Sequence, residues 1–263
     1  NVKRRMIAQR FISLYIMRFL FCPKGGVGVA SSGRRKIKTD VEVVDASNVV
    51  DVLKKALSVH KQNSDECQHL LDIYKGKHAI LSRAKPVREE IKNKVLINHA
   101  NEIGSFKVSY LLSDPIVYVA RGDEVTERVN DLNEMMLLNN KAARDKEIAD
   151  DFTICGQAYR MVLPNKAEGV DEPPFRVYTL DPRYCFVVYH CGLGEAPACA
   201  VKYVQTTDTT GALAKDATYS IYTPSMYFEV VGDKITKSEP HSLGMVPIFE
   251  YVNNNARLGA FEV

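Results

Sequence analysis

No two cysteines in this chain stand at the spacing of a zinc or redox motif. The six, at 22, 67, 155, 185, 191 and 199, include no Cys-x-x-Cys. No Cys/His pairs are placed as tetrahedral ligands would require. Cys67 and Cys155 fall within helical patterns, so reduced, mostly buried thiols are expected. Cys185, His190 and Cys191 are close in sequence, but alternate pleats point them to different faces, and no metal is expected there.

Acidic residues are missing from 1–38, where ten Lys and Arg occur. The remaining residues hold 25 basic against 32 acidic side chains, a net of −7. The expectation is a basic arm on a mildly acidic body. Such a body is not the electrostatic footprint of a domain that reads DNA sequence. The arm, with Arg4, Arg5, Arg10, Arg34, Arg35, Lys36 and Lys38, is a candidate contact for nucleic acid without sequence preference. A long apolar run is also absent. Asn1–Cys22 imitates a signal peptide, but Arg18 interrupts it, it is too short to span a bilayer, and no small-residue cleavage site follows directly. An arm with little fixed structure is expected, with a membrane-surface helix as the alternative.

A nucleotide site is lacking too. Lys24-Gly25-Gly26-Val27-Gly28 looks like the start of a phosphate-binding loop. That loop needs Lys and then Ser or Thr after its last glycine, and here Val29 and Ala30 follow. A Gly/Ser linker fits better. Asp145, Glu147, Asp150 and Asp151 are expected on the solvated side of a helix, and no His or Lys has a spacing that would join them in a site. His99 falls on an apolar stripe and reads as a half-buried structural histidine. With no catalytic grouping, no cofactor and no enzyme activity are expected. There is no internal repeat.

What is present is a globular chain of helices followed by strands. At 263 residues and 46% hydrophobic content it can form one large domain or two small ones. Apolar periodicity predicts helices over 47–60, from Ser64 to Gly76, over 87–112 and over 124–159, with a break at Asn139-Asn140. A strand is expected at 116–120. From Pro174 the period changes to two. Phe175–Leu180, Tyr184–His190 and Ala198–Val204 read as an antiparallel meander turned by Asp181-Pro182-Arg183 and by a Gly-rich loop. Further strands are expected at 217–223, 226–231, 234–237 and 247–252. The fold class is α+β, long helices packed on an antiparallel β meander, with 1–38 as arm and linker and 39–263 as the folded domain.

Five stretches in this order resemble the portal proteins of tailed bacteriophages, in the family related to the portal of the Bacillus phage SPP1. They are Tyr74 to Arg83 with Gly76; Tyr110 to Tyr118 with Asp114 and Pro115, closing the long helix; Ala149 to Tyr159 with its Gly156-Gln157-Ala158-Tyr159 end; Leu180 to Tyr189 with Asp181, Pro182 and Arg183; and Pro247 to Glu262 with Asn253, Asn254, Arg257 and Gly259. The Asp-Pro-Arg stretch is the most specific. The resemblance implies a structural subunit of a homo-oligomeric ring, usually dodecameric, at one capsid vertex of the virion. Such a ring conducts double-stranded DNA during packaging and ejection. It docks terminase and the head–tail adaptor and sits in a shell of major capsid protein. The resemblance also implies that this chain is the wing-like portion, with stem, clip, tunnel loop and crown expected beyond it.

Overall fold

Val49, Val52, Leu53, Ala56, His60, Asn63 and Cys67 recur at three- and four-residue steps and are all buried. That single stripe makes one continuous helix, α1 (Val49–Tyr74), of 26 residues. The sequence suggested two helices with Ser64 as a cap. Lys61-Gln62-Asn63-Ser64-Asp65 contains no breaker, so the helix runs through, and the Ser64 hydroxyl makes a tertiary bond instead. Gly76, at φ 78°, ends the helix as expected.

The computed structural model describes residues 34–82, 93–121, 126–165, 172–204 and 217–253. The other helices are α2 (His99–Leu111), α3 (Thr126–Leu138) and α4 (Lys141–Ile154). α2 is shorter than the periodicity suggested. Asn98 starts it, accepting the Asn101 N–H at 3.2 Å and donating its side-chain amide to the Tyr74 carbonyl at 2.8 Å. Residues 93–98 form no helix or strand, and 87–92 lie outside the described residues. The break at Asn139-Asn140 holds, with Asn140 at φ 53°. α4 stops before Gly156, at φ 71°, so Tyr159 lies in a strand and not in the helix.

Nine strands complete the described chain. They are β1 (Ile37–Thr39), β2 (Gln157–Pro164), β3 (Phe175–Leu180), β4 (Cys185–His190), β5 (Pro197–Val204), β6 (Thr218–Tyr222), β7 (Met226–Val231), β8 (Lys234–Pro240) and β9 (Ile248–Val252). The expected strand at 116–120 forms no ladder. It runs exposed and extended, tied to α3 by the Asn133 side chain, which bonds both backbone groups of Tyr118 at 3.0 and 2.9 Å.

The meander is real but begins one strand later than the sequence suggested. β4 to β8 follow one another antiparallel in a six-stranded sheet, with β1 added parallel to β4. β3 does not pair with β4. It pairs with β2, which also pairs with β9, in a separate three-stranded antiparallel sheet. The Asp181-Pro182-Arg183 turn thus carries the chain from one sheet to the other.

β4 shows why the layers stack. Cys185, Phe186, Val187 and Val188 are each 1% exposed, so both faces of the strand are covered. Phe186 and Val188 join Val49, Val52, Leu53 and Ala56 of α1 in one core. Cys185 and Val187 join Tyr159, Met161 and Ile248 of the smaller sheet in the other. The order is helix, large sheet, small sheet. At the free edge of the large sheet, β8 is mostly exposed and carries Lys234 and Lys237, which discourages edge pairing.

Phe186 fills the space beneath α1, with its ring centroid 4.4 Å from that of His60. Phe186→Ala is expected to destabilise the fold by about 4 kcal/mol, read as a lower urea midpoint with an unchanged slope.

Candidate functional site

The Asp181-Pro182-Arg183 turn gathers polar contacts from α1 and β5. Pro182 is buried and fixes its own φ. The Asp181 carboxylate accepts the Arg183 N–H at 2.9 Å and the guanidinium Nε at 3.0 Å, an Asx turn closed by an ion pair. The same guanidinium donates to Gln68 Oε1 on α1 at 2.7 Å. Its bond to Asp181 holds the Arg183 pKa above the ordinary value, so it is cationic throughout.

The Arg183 carbonyl accepts three donors: His60 Nε2 at 3.0 Å, Ser64 Oγ at 3.0 Å and Tyr203 OH at 2.9 Å. Burial lowers the His60 pKa, so the ring is neutral and donates through Nε2. Helix, turn and large sheet therefore meet on one oxygen.

A second cluster closes on Glu250 of β9, whose side chain is 2% exposed. It pairs with Arg34 and accepts Tyr159 OH at 2.7 Å and Tyr189 OH at 2.6 Å. Burial, and then the Glu250 charge, push the Tyr159 phenol well above its usual range, so it stays a donor. Tyr159 comes from the Gly-x-Ala-Tyr stretch. Ala158 there is fully buried, and the Gly156 carbonyl accepts the Asn253 N–H at 2.9 Å.

The other motif residues are placed as follows. Tyr74 bonds Ser105 Oγ at 3.0 Å, and a Cβ on Gly104 would stand 2.9 Å from its ring, so Gly104 lets α1 and α2 approach. Asp114 and Pro115 follow α2 and are exposed. Arg83, Asn254, Arg257 and Gly259 lie outside the described residues. So do Arg4, Arg5, Arg10 and the glycine-rich stretch at 24–33.

The four remaining basic residues of the expected arm belong to the body. β1 pairs with β4, and Asn63 of α1 clasps both backbone groups of Arg35 at 2.9 Å. Arg34 pairs with Glu250, Arg35 with Glu66 at 3.1 Å, and Lys36 and Lys38 with Glu195. Glu195 is held down at about pH 2 by these two lysines. The folded region starts earlier than 39 because Ile37 and Thr39 are buried against the sheet, which a run of basic residues conceals.

The acidic helix residues are not uniformly solvated. Asp145 is buried between Lys141 and Arg160 Nη2, the latter at 2.6 Å. Glu147, Asp150, Asp151 and Asp181, with Arg144 and Thr179, line an open depression of about 410 Å³. Burial, and then Asp181, Asp150 and Glu147, push Asp151 up to about 7. No group of acidic, His or Cys side chains among the described residues has the geometry to hold a metal ion. His99 is exposed and pairs with Glu102 at 3.1 Å, because it opens its helix rather than lying within one.

Sequence reasoning missed an apolar surface. Val95, Phe106, Tyr110, Val119 and Leu137 are 78, 61, 66, 83 and 79% exposed, and Phe106 stacks on Tyr110 at 6.0 Å. Phe106 and Tyr110 fall within the helix expected over 87–112, and a periodic apolar stripe looks the same whether it faces a core or a partner.

A model of the SPP1 Gp6-like phage portal proteins matches residues 53–263. The chain belongs to this portal family. The match spans α1 from Leu53, strands β2 to β9 and the Asp-Pro-Arg turn. No curated protein matches the chain significantly. The family is structural and implies a place in the portal assembly of a phage capsid. The clusters at Arg183 and Glu250 link the layers of this fold.

Two outcomes check these electrostatics. Glu250→Gln leaves the Arg34 guanidinium buried without a counter-charge, and it should cost about 3 kcal/mol in chemical denaturation at pH 7. For Asp151 the folded pKa lies above the unfolded one, so the folded chain holds an extra proton between pH 3.8 and about 7. Stability contributed by this group therefore falls as pH rises through that window. Asp151→Asn should melt higher than the parent at pH 8, with the gap closing towards pH 4 in thermal scans.

Proposed function

We propose that this chain is one subunit of a closed portal ring at a single capsid vertex. The ring forms the conduit through which double-stranded DNA is packaged and ejected. It is dodecameric, seated in major capsid protein, and docks terminase on assembly and the head–tail connector afterwards. The observation that carries this reading is the family match over 53–263. The exposed apolar side chains between Val95 and Leu137 support it, because a chain that worked alone would leave them in water.

The other reading, a nucleic-acid-binding module using a basic arm, has less support. Arg34, Arg35, Lys36 and Lys38 are paired with carboxylates of the body and offer little net charge to phosphate.

Native mass spectrometry and negative-stain images of the purified protein should show closed rings. Phe106→Asp combined with Leu137→Asp should convert them to monomers while leaving the circular dichroism unchanged. Monomers of the parent chain at every concentration, or rings indifferent to both substitutions, would count against the ring or against this surface respectively.

A further inference from the structure

Residues 116–119 read Ile-Val-Tyr-Val, and their backbone is held on one side only. On α3 the Asn133 side-chain oxygen accepts the Tyr118 N–H at 3.0 Å, and its amide donates to the Tyr118 carbonyl at 2.9 Å. One side-chain amide reaches both groups because they point the same way, as in an extended strand. The Ile116 carbonyl also points to the body, where Lys141 Nζ donates to it at 3.2 Å. In an extended strand the backbone groups of the next residues point to the opposite side. Those of Val117 and Val119 therefore face away, and they have no hydrogen-bond partner among the described residues. Ile116, Val117 and Val119 are exposed, and no residue of the four is charged or Pro. Such an edge is a template for pairing, which proteins ordinarily guard with charge, Pro or shortness.

The sheet edges among the described residues differ in that guard. β8 carries Lys234, Lys237 and Glu239. β1 has three residues, with Lys38 at its centre. On β3 the Asn139 side chain accepts the Val177 N–H at 3.1 Å and donates to the Phe175 carbonyl at 3.1 Å. β9 has no such guard. The Val162 N–H donates to the Pro247 carbonyl, and the Asn253 N–H to the Gly156 carbonyl. Odd-numbered residues of β9 thus bond to β2, and the backbone groups of Ile248, Glu250 and Val252 face outward. Phe249 and Tyr251 are exposed, while the single charge, Glu250, is buried against Arg34. Among the described residues β9 pairs with β2 alone, and 116–119 pairs with no strand.

We propose, resting on the ring reading above, that 116–119 of one copy adds to the outer edge of β9 in the next copy, as a fourth strand of its small sheet. Two unlike edges on one chain make a head-to-tail contact, the kind that builds a ring when the rotation closes. Main-chain hydrogen bonds hold the added strand, and its apolar side chains meet Phe249 and Tyr251. Asn133 and Leu137 stand one turn apart on α3, so the strand lies beside the exposed Leu137 side chain, and the two form one continuous surface.

The test separates the full chain by size and follows assembled and monomeric fractions by hydrogen exchange and mass spectrometry. Peptides covering 114–121 and 247–253 should both exchange about tenfold or more slowly in the assembled fraction. Val119→Pro removes one outward N–H and keeps an apolar side chain. It should shift the chain to monomers with the circular dichroism unchanged. Val117→Lys combined with Val119→Lys leaves the backbone donors in place but charges the edge, and it should do the same. Assembled chains in which both peptides exchange as in the monomer, or in which 114–121 is protected without 247–253, would overturn the pairing and leave the ring reading standing. So would the double lysine variant assembling like its parent. A parent chain that never assembles would overturn the ring reading and the pairing with it.

Discussion

The carbonyl oxygen of Arg183 is the point on which the described structure depends. It takes hydrogen bonds from His60 and Ser64 on α1 and from Tyr203 on β5, at 2.9–3.0 Å. It sits at the turn where the chain leaves the small sheet for the large one. A carbonyl that turns inward at a layer junction must be satisfied there, since burying it unpaired costs roughly 1–3 kcal/mol. The residue types around it follow from that need. His60 is neutral and can donate. Asp181 and Pro182 fix the turn, and the Arg183 side chain folds back on Asp181 and out to Gln68.

Charge has two different roles in this chain. At Glu250 an ion pair and two phenols are shut in between sheets, and each polar atom of the carboxylate has a donor. That satisfaction is what makes a buried charge tolerable. At Asp151 the arrangement is the reverse. Four carboxylates crowd one depression with Arg144 beside them, and Asp151 keeps its proton far above the usual carboxylate range. The first cluster holds the fold together, and the second weakens it as pH rises.

Membership of the portal family, which is structural, fits the layered packing of the described residues. The chemistry is that of shape: one long helix, a covered sheet and a smaller sheet in register, with apolar side chains left outward along α2, the 116–119 segment and the end of α3.

The residue pattern alone determined much of this. β-Branched and aromatic runs bounded by turn residues placed seven of the nine strands, β3 to β9, close to their observed bounds, and Asp-Pro-Arg marked a turn. Gly76 and Asn139-Asn140 marked helix ends, because positive φ has few occupants. The absence of ligand spacings argued against a metal site. Tertiary structure decided the rest. Whether β3 pairs with β4 or with β2 depends on contacts far away in sequence, with Met161 and Ile248 among them. β1 hid within basic residues, since its hydrogen bonds come from β4 and not from its own composition. Ser64 sits inside a helix because Arg183, more than a hundred residues later, gives its hydroxyl an acceptor. An amphipathic stripe records that one face leaves water, but only the packed neighbours reveal whether the face meets the same chain or another.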